Sequence, residues 1–149
     1  YNSQMKQETL PNVLNTYVKP AFGEHVLTYN NLLSNSIDAT VQNGAGWKGL
    51  STTWAWYESQ IDLMSEANVY GINVFSSSAF DTGMDNRQYA LFQLKPEFIG
   101  FSGSERRLSY WLKNVAGAKT FAHISSRSVS SAADASESTR GVRPRFLIG

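Results

Sequence analysis

The sequence predicts an α+β domain with short helices, small antiparallel sheets and long loops. Apolar residues follow helical spacing near the N-terminus, strand-like runs dominate residues 110–149, and polar, glycine-containing stretches lie between the two regions. With 149 residues, of which 42% are hydrophobic, the chain fits one domain with a real core. We therefore expect residues 1–149 to form a single domain. Because the chain begins with Tyr1 rather than methionine, we also expect it to be the C-terminal part of a longer protein.

The first predicted element is a short amphipathic helix. Thr9 is the expected N-cap, and Pro11 fits the first turn, where a missing N–H costs nothing. The helix should end near Pro20. Its apolar stripe has helical spacing and is expected to pack on the core, with a partner-binding face as the less favoured alternative; it consists of Leu10, Val13, Leu14, Tyr17 and Val18.

The middle of the chain predicts short elements between loops. Residues 35–46 are polar and contain glycine, so they are expected to form a loop. Trp54 and Trp56 alternate with other residues as in a strand, which puts both indoles on one face; we expect that face in the core rather than as a platform for sugars. Residues 61–64 resemble a short strand. Ser65 is an expected cap for one helical turn that closes at Gly71.

Further along, residues 74–75 predict the start of a strand and residues 81–86 a turn-rich loop. Residues 89–92 fit either a short helix or a strand. Three strands are then expected, over residues 110–115, 121–124 and 142–148.

The strongest contrast in composition lies near the C-terminus. Seven serines occur among the fourteen residues from Ser125 to Ser138, so this stretch has little apolar area of its own to bury. Stiff apolar segments precede and follow it. We therefore expect a polar stretch that is exposed to water and held at its two ends by side chains packed in the core: Trp111, Leu112, Val142, Phe146 and Ile148.

Charge and composition exclude several classes of function. The chain has no cysteine, which excludes disulfides, thiolate metal sites and cysteine nucleophiles. The net charge of +1 argues against an obligate nucleic-acid binder, and no apolar run is long enough to predict insertion into a membrane. Eight basic and two acidic residues from Arg106 onward give about +6, whereas five basic and ten acidic residues before it give about −5. The two parts should attract each other, although a mildly basic face for an anionic ligand is the alternative.

No catalytic or metal-binding constellation is persuasive. Asp81-Thr82-Gly83 has the residues of an aspartic-protease turn, but the preceding serines do not form the apolar strand that such a turn needs. The same loop lacks the acidic alternation of a calcium loop. His25 and His123 are the only histidines, and neither has a spacing typical of zinc ligands. We predict no enzymatic activity and no cofactor.

Three C-terminal segments carry a resemblance to a known family. They are YWLKNV at residues 110–115, FAHI at 121–124 and GVRPRFLI at 141–148. Together they resemble a domain of unknown function that is common in Clostridia-type gut bacteria and their phages, whose members have a C-type-lectin-like fold. Shorter matches, such as TLP at 9–11 and AFG at 21–23, extend the resemblance over nearly the whole chain.

The family is similar to the variable proteins of diversity-generating retroelements, in which a fixed scaffold presents a varied surface. The resemblance implies which positions of this chain are variable and available to a ligand. They are Lys119, Thr120, His123, Ser125, Ser126, Arg127, Ser130, Ser131, Asp134, Glu137 and Thr139. Phe121 is expected to be a buried scaffold residue instead.

Two departures from related proteins limit what the resemblance implies. Calcium-dependent lectins of this fold carry a Glu-Pro-Asn or Gln-Pro-Asp motif, and the chain contains neither. The related formylglycine-generating enzymes depend on cysteine, which is absent here. The resemblance therefore implies a binding module without metal or oxidase chemistry.

The resulting expectation is a non-enzymatic display domain on the surface of a phage virion. It would contact a bacterial surface protein or glycan and assemble with other virion subunits, with a homo-oligomer as the expected state. Two alternatives remain. One is a structural capsid or tail domain that decorates or cements the particle without binding the host. The other is a bacterial surface domain.

Overall fold

The computed structural model describes residues 3–42, 46, 48–73, 87–102 and 106–149. These residues form helices and small antiparallel sheets, which confirms the α+β class. The predicted strand at residues 74–75 and the loop at 81–86, with its Asp-Thr-Gly sequence, lie outside the described residues. In the part of the chain that the structure describes, no helix has the length and apolar character needed to cross a membrane.

The N-terminal helix covers residues 5–22 and alternates between π-helical and α-helical turns. These turns are Met5–Thr9, Leu10–Val13, Leu14–Val18 and Lys19–Phe22, and a 3-10 turn follows at Gly23–His25. Both Pro11 and Pro20 lie two residues beyond a π-helical turn. Because a proline ring would clash with the carbonyl one α-helical turn earlier, the widened turn lets the helix continue. The predicted cap is wrong, since Thr9 has helical angles of φ −66 and ψ −50 and the helix begins before it.

One stripe of this helix packs on the core, as predicted. Leu10, Leu14 and Val18 are buried, whereas Tyr17 is 69% exposed and does not belong to the packed face. The three buried side chains join a cluster that includes Ile61, Leu63, Trp111 and Ala133. We call this cluster the helix-side core.

A long hairpin dominates the middle of the chain. Its strands β2 (Tyr29–Gln42) and β3 (Lys48–Ser59) are antiparallel, and β1 (Val26–Leu27) precedes them. The predicted loop at residues 35–46 is wrong over residues 35–42, which continue β2, and residues 43–45 of it lie outside the described residues. Polar side chains pair across this part of the hairpin, with Ser36 Oγ 2.8 Å from Thr52 Oγ1 and 2.6 Å from Thr53 Oγ1. Such pairs keep the strands together without the apolar alternation that marks a strand in a sequence.

The two tryptophans of β3 occupy the predicted strand on one face of the hairpin. Trp54 is partly buried, but Trp56 is 59% exposed. The expected placement of Trp56 in the core is therefore wrong. The burial pattern explains this, because Asn31, Leu33 and Ser59 point to the opposite, buried face of the hairpin.

A short helix, Glu66–Tyr70, follows strand β4 (Asp62–Leu63), as the sequence predicts. Ser65 accepts from the backbone N–H of Asn68 at 3.1 Å, and the Asn68 side chain accepts from the Ser65 N–H at 3.0 Å. This reciprocal pair is a capping box. Gly71 ends the helix with φ 80, a left-handed conformation that glycine adopts without a steric penalty.

The remaining elements are short. Residues 89–92 belong mainly to a helix, so the helical alternative is confirmed over Ala90–Leu94; a 3-10 turn at Pro96–Ile99 follows. Several two-residue strands complete the set. β5 (Phe101–Ser102) pairs with β6 (Arg106–Arg107). β10 (Pro144–Arg145) pairs with β4, and β11 (Leu147–Ile148) pairs with β1.

The central sheet contains β7 (Tyr110–Gly117), β8 (Thr120–Ile124) and β9 (Ser130–Asp134) in that order. The first two strands confirm predictions, but β9 lies inside the serine-rich stretch and was not expected. Ala122 and Ile124 of β8 face a second cluster, with Leu112 and Val69, that we call the loop-side core. The opposite face packs on the helix-side core. The central sheet is thus buried on both faces.

The predicted C-terminal anchors divide into two groups. Val142 and Phe146 pack against the helix-side core, to which the buried Trp111 belongs, and Leu112 is buried in the loop-side core. Ile148 is 58% exposed, so its predicted role as a core anchor is wrong. Ile148 pairs across the strands with Val26 of β1, in a sheet of only two strands.

Buried charges join the acidic and basic parts of the chain. Lys113 Nζ of β7 lies 3.9 Å from Oδ2 of Asp62, and their side chains are 9% and 4% exposed. Arg145 of β10 donates to the Tyr89 hydroxyl at 2.9 Å and to Oδ1 of Asn31 at 3.4 Å. The predicted attraction between the acidic and basic parts of the chain is therefore an interaction inside the folded domain.

Candidate functional site

We call the eleven predicted positions between Lys119 and Thr139 the display face; they lie on β8, β9 and the adjoining turns. Residues of the same strand have very different exposure. Lys119, Ser126, Arg127, Asp134, Glu137 and Thr139 are exposed; Thr120, Ser125, Ser130 and Ser131 are partly buried; and His123 is buried. The structure therefore makes only part of the predicted set accessible.

The turn between β8 and β9 is ordered by its own backbone. The Ser125 N–H donates to the Val129 carbonyl and the Ser128 N–H donates to the Ser125 carbonyl, both at 2.9 Å. Ser128 takes a left-handed φ of 61. The Tyr70 hydroxyl donates to the Ser128 carbonyl at 2.6 Å, which fixes the turn to the helix Glu66–Tyr70. Arg127 therefore extends into solvent from a rigid turn rather than from a pliable loop.

The other ends of β8 and β9 bring a second exposed group together. Thr120 pairs with Asp134, and the Ala135 N–H donates to the Lys119 carbonyl at 2.9 Å. Oδ1 of Asp134 accepts from the N–H of Ser136 at 2.9 Å and from its hydroxyl at 2.7 Å. These hydrogen bonds, with a smaller contribution from the charge of Lys119, lower the pKa of Asp134 below its usual value.

Glu137 is exposed but connected to the scaffold. Its Oε2 accepts a hydrogen bond from NH1 of Arg140, and the two form an ion pair. The Arg140 side chain is only 14% exposed and lies over the indole ring of Trp111. The orientation of Glu137 thus depends on a buried aromatic residue of β7.

His123 and Thr120 correct the predicted site. His123 is 4% exposed and packs edge-on against Trp111, with ring centroids 6.0 Å apart. Burial lowers the pKa of His123, and the nearby Arg140 contributes in the same direction. The hydroxyl oxygen of Thr120 is also buried. The expected exposure of His123 is wrong because this side chain packs against Trp111 of the helix-side core, whereas Thr120 is partly accessible.

Two serines on β9 are only partly accessible. The Ser130 hydroxyl donates to Oε1 of Glu66, a side chain that is fully buried. Ser131 pairs across the strands with His123 and is partly buried. Ser130 therefore supports a buried carboxylate, and a ligand would compete with that interaction.

The accessible part of the display face consists of two end groups. One is the turn group, Ser126 and Arg127, and the other is the strand-end group, Lys119, Asp134, Glu137 and Thr139. β8 has five residues, so the groups lie about 13 Å apart at the usual rise per residue. A partner that contacts both groups needs a surface of at least that span.

The sequence did not indicate one exposed residue of the turn. Val129 is 59% exposed next to Arg127, and it adds an apolar contact to an otherwise polar turn. Val129 is the only large apolar residue of the serine-rich stretch, and this isolation could have indicated that its side chain is exposed. Phe121, expected to be buried, is partly buried and packs on the helix-side core.

Among the described residues, no group of histidine, aspartate and glutamate side chains is arranged to hold a metal ion. Comparison of the chain with protein-family models, with curated proteins and with solved structures finds no match. The exposed side chains and their charges therefore carry the functional proposal, together with the resemblance noted in the sequence.

Proposed function

We propose that the chain is a C-type-lectin-like display domain on a phage virion and that it contacts a protein or glycan on the bacterial surface. One observation carries the proposal. Two exposed polar groups stand at the ends of β8 and β9, while the strands between them are packed on both faces. Such an arrangement keeps the scaffold fixed while the exposed side chains change, because surface substitutions away from special features cost little stability.

The charges of the display face favour a polar partner. The turn group presents the cation Arg127, and the strand-end group presents one cation, Lys119, with two anions, Asp134 and Glu137. Opposite charges at separate positions favour one orientation of a partner and disfavour others. A protein or a charged glycan of the bacterial envelope supplies such a surface.

The test is adsorption of particles, or of the isolated protein, to host cells after substitution of the display face. Lys119→Ala and Arg127→Ala together remove one cation from each end group, and we expect adsorption to fall at least about tenfold. The melting temperature should change little, since both side chains are exposed. The matched control is Lys95→Ala, which removes an exposed cation of the helix region. Unchanged adsorption of the double variant would contradict the proposal.

A structural role in the particle is the second candidate. The paired strands β1 and β11 expose apolar side chains, with Leu27 44%, Leu147 51% and Ile148 58% exposed. An apolar edge of this kind fits contact with another virion subunit. Leu147→Glu tests this role: a cementing domain would lose assembly, whereas a display domain would still be incorporated and would adsorb normally.

A further inference from the structure

A pocket of about 440 Å³ lies between the first turns of the N-terminal helix and the base of the β2–β3 hairpin. This volume is within the range of ~300–1,000 Å³ that is usual for small-molecule sites. The pocket shares no residue with the display face. A ligand bound there would therefore leave the display face open to its own partner.

The ammonium group of Lys6 is held at the wall of this pocket. Its Nζ donates to Oγ of Ser59 at 2.6 Å and to the carbonyl of Ile61 at 3.1 Å, and all three residues line the pocket. The Ser59 hydroxyl itself donates to the Ile61 carbonyl at 2.6 Å, which keeps both acceptors in place. Because an ammonium group has three N–H donors, one donor remains for a ligand.

The charges near Lys6 leave room for an anion. Burial lowers the pKa of Lys6, the nearby Asp62 carboxylate opposes this shift, and Arg145 adds to it. Asp62 has closer partners, since its Oδ2 accepts from the Asn31 side chain and lies 3.9 Å from Nζ of Lys113. Among the described residues, no carboxylate forms an ion pair with Lys6. A ligand anion in contact with the ammonium would replace the interactions that it lost with water.

The rest of the lining is partly apolar and partly polar. Pro11 and Leu14 line the pocket from the helix, whereas Thr28 and Gln60 line it from the hairpin side. Nε2 of Gln60 donates to the Val26 carbonyl at 3.2 Å, which orients the amide, and its oxygen can accept from a ligand hydroxyl. A purely aliphatic acid would cover these polar groups without pairing them. A pyranose ring has both an apolar C–H face and hydroxyl groups, so it matches the two parts of the lining.

Glu58 is the anion of the lining, and it lies farther from this contact. Side chains alternate along β3, so Glu58 leaves the strand on the face opposite to Ser59, to which Lys6 is bound. Its side chain is exposed, and water therefore screens its charge. Glu58 opposes an anionic ligand only weakly.

We propose that this pocket binds an acidic monosaccharide, a pyranose that bears a carboxylate. The carboxylate accepts from Lys6, the C–H face of the ring packs on Pro11 and Leu14, and the hydroxyls pair with Thr28 and Gln60. Glucuronic acid has this chemistry. The site goes beyond the proposed display function and depends on none of its residues.

The experiment is calorimetric titration of the purified protein with glucuronate, glucose and acetate. Glucose has the ring without the carboxylate, and acetate has the carboxylate without the ring. We expect glucuronate to bind at least about tenfold more tightly than either. Lys6→Gln should weaken glucuronate by about tenfold and leave glucose unchanged, because only the charged contact is lost. Circular dichroism checks that the variant is folded.

A second variant does not disturb the contacts of Lys6. Thr28 is exposed, and Thr28→Val removes its hydroxyl at nearly constant shape. This variant should weaken glucuronate and glucose alike, by about threefold. Glu58→Gln should not weaken glucuronate, and a loss of affinity there would contradict the placement of the carboxylate on Lys6.

The matched controls are Lys19→Gln and Thr16→Val, which change an exposed cation and an exposed hydroxyl of the same helix outside the pocket. Both should bind glucuronate normally, and equal weakening by either control overturns the proposal. Absence of glucuronate binding at ~10 mM overturns it as well. Equal affinity for glucose, or for acetate, would show that the charge or the ring plays no part. The titration uses no host cells, so its result is independent of the adsorption test.

Discussion

The guanidinium carbon of Arg140 lies 5.1 Å from the centroid of the Trp111 ring. The same guanidinium donates to Glu137, one of the exposed residues of the display face. Trp111 is 7% exposed and belongs to the helix-side core. A buried aromatic residue of β7 therefore positions a charge that a partner would contact, and scaffold and display face meet at this pair.

The first prediction concerns Trp111. Trp111→Ala removes a buried indole and the support of Arg140, and we expect the free energy of unfolding to fall by about 3 to 5 kcal/mol. Denaturant unfolding measures the change. Trp56→Ala is the control, since removal of an exposed indole should lower the free energy of unfolding far less. Equal losses in both variants would place Trp111 outside the core.

The second prediction concerns the buried ion pair of Lys113 and Asp62. Lys113→Met leaves the carboxylate of Asp62 buried without this cation. We therefore expect the free energy of unfolding to fall by about 3 kcal/mol. Adding Asp62→Asn should recover part of that loss, because no isolated anion then remains. Denaturant unfolding of the two single variants and the double variant gives the coupling. A purely additive double variant would show that the pair does not interact.

The third prediction concerns pH. The pKa of His123 is lowered by burial, so below its usual value of 6.5 the unfolded chain binds a proton that the folded chain does not. The free energy of unfolding should therefore fall as the pH drops below about 6.5. Thermal unfolding between pH 7 and pH 5 measures it, and His123→Gln should have a flatter profile. An identical profile in that variant would assign the pH dependence to other groups.

The fourth prediction concerns the close approach of β3 to the turn after β7. Gly49 has a φ of +129, and a Cβ atom there would lie 2.5 Å from the backbone nitrogen of Ala118. We expect Gly49→Ala to lower the free energy of unfolding by about 1 to 3 kcal/mol, because backbone atoms must move to make room for the Cβ atom. Gly23 is the control: it also has a positive φ, of +59, but no atom lies within 4 Å of its Cβ position. If both alanine variants lost the same stability, strain in φ alone would explain the effect.

Local signals predicted several elements well. The Ser65 cap, the Gly71 end of the helix Glu66–Tyr70 and the strands β7 and β8 appeared where residue type and spacing placed them. Each of these depends on interactions between residues close in sequence or on a continuous apolar pattern. Such information is contained in a short window of the chain.

Other features had no local signal. The polar half of β2 is a strand because Ser36 meets Thr52 and Thr53 across the hairpin, and a window around Ser36 contains neither threonine. The start of the N-terminal helix was placed too late because Pro11 looked like a first-turn residue, whereas a π-helical turn accommodates it in the interior.

The sequence by itself determined the α+β class, the buried stripe of the N-terminal helix and the polar character of residues 125–139. Only the tertiary structure decided which of those polar residues are accessible. His123 and Arg127 look equally suitable for a site in the sequence, yet one is 4% exposed and the other stands on a turn in solvent. The reason is that exposure depends on what covers each face of a strand. His123 packs against Trp111 of the helix-side core, a cluster whose other members come from distant parts of the chain.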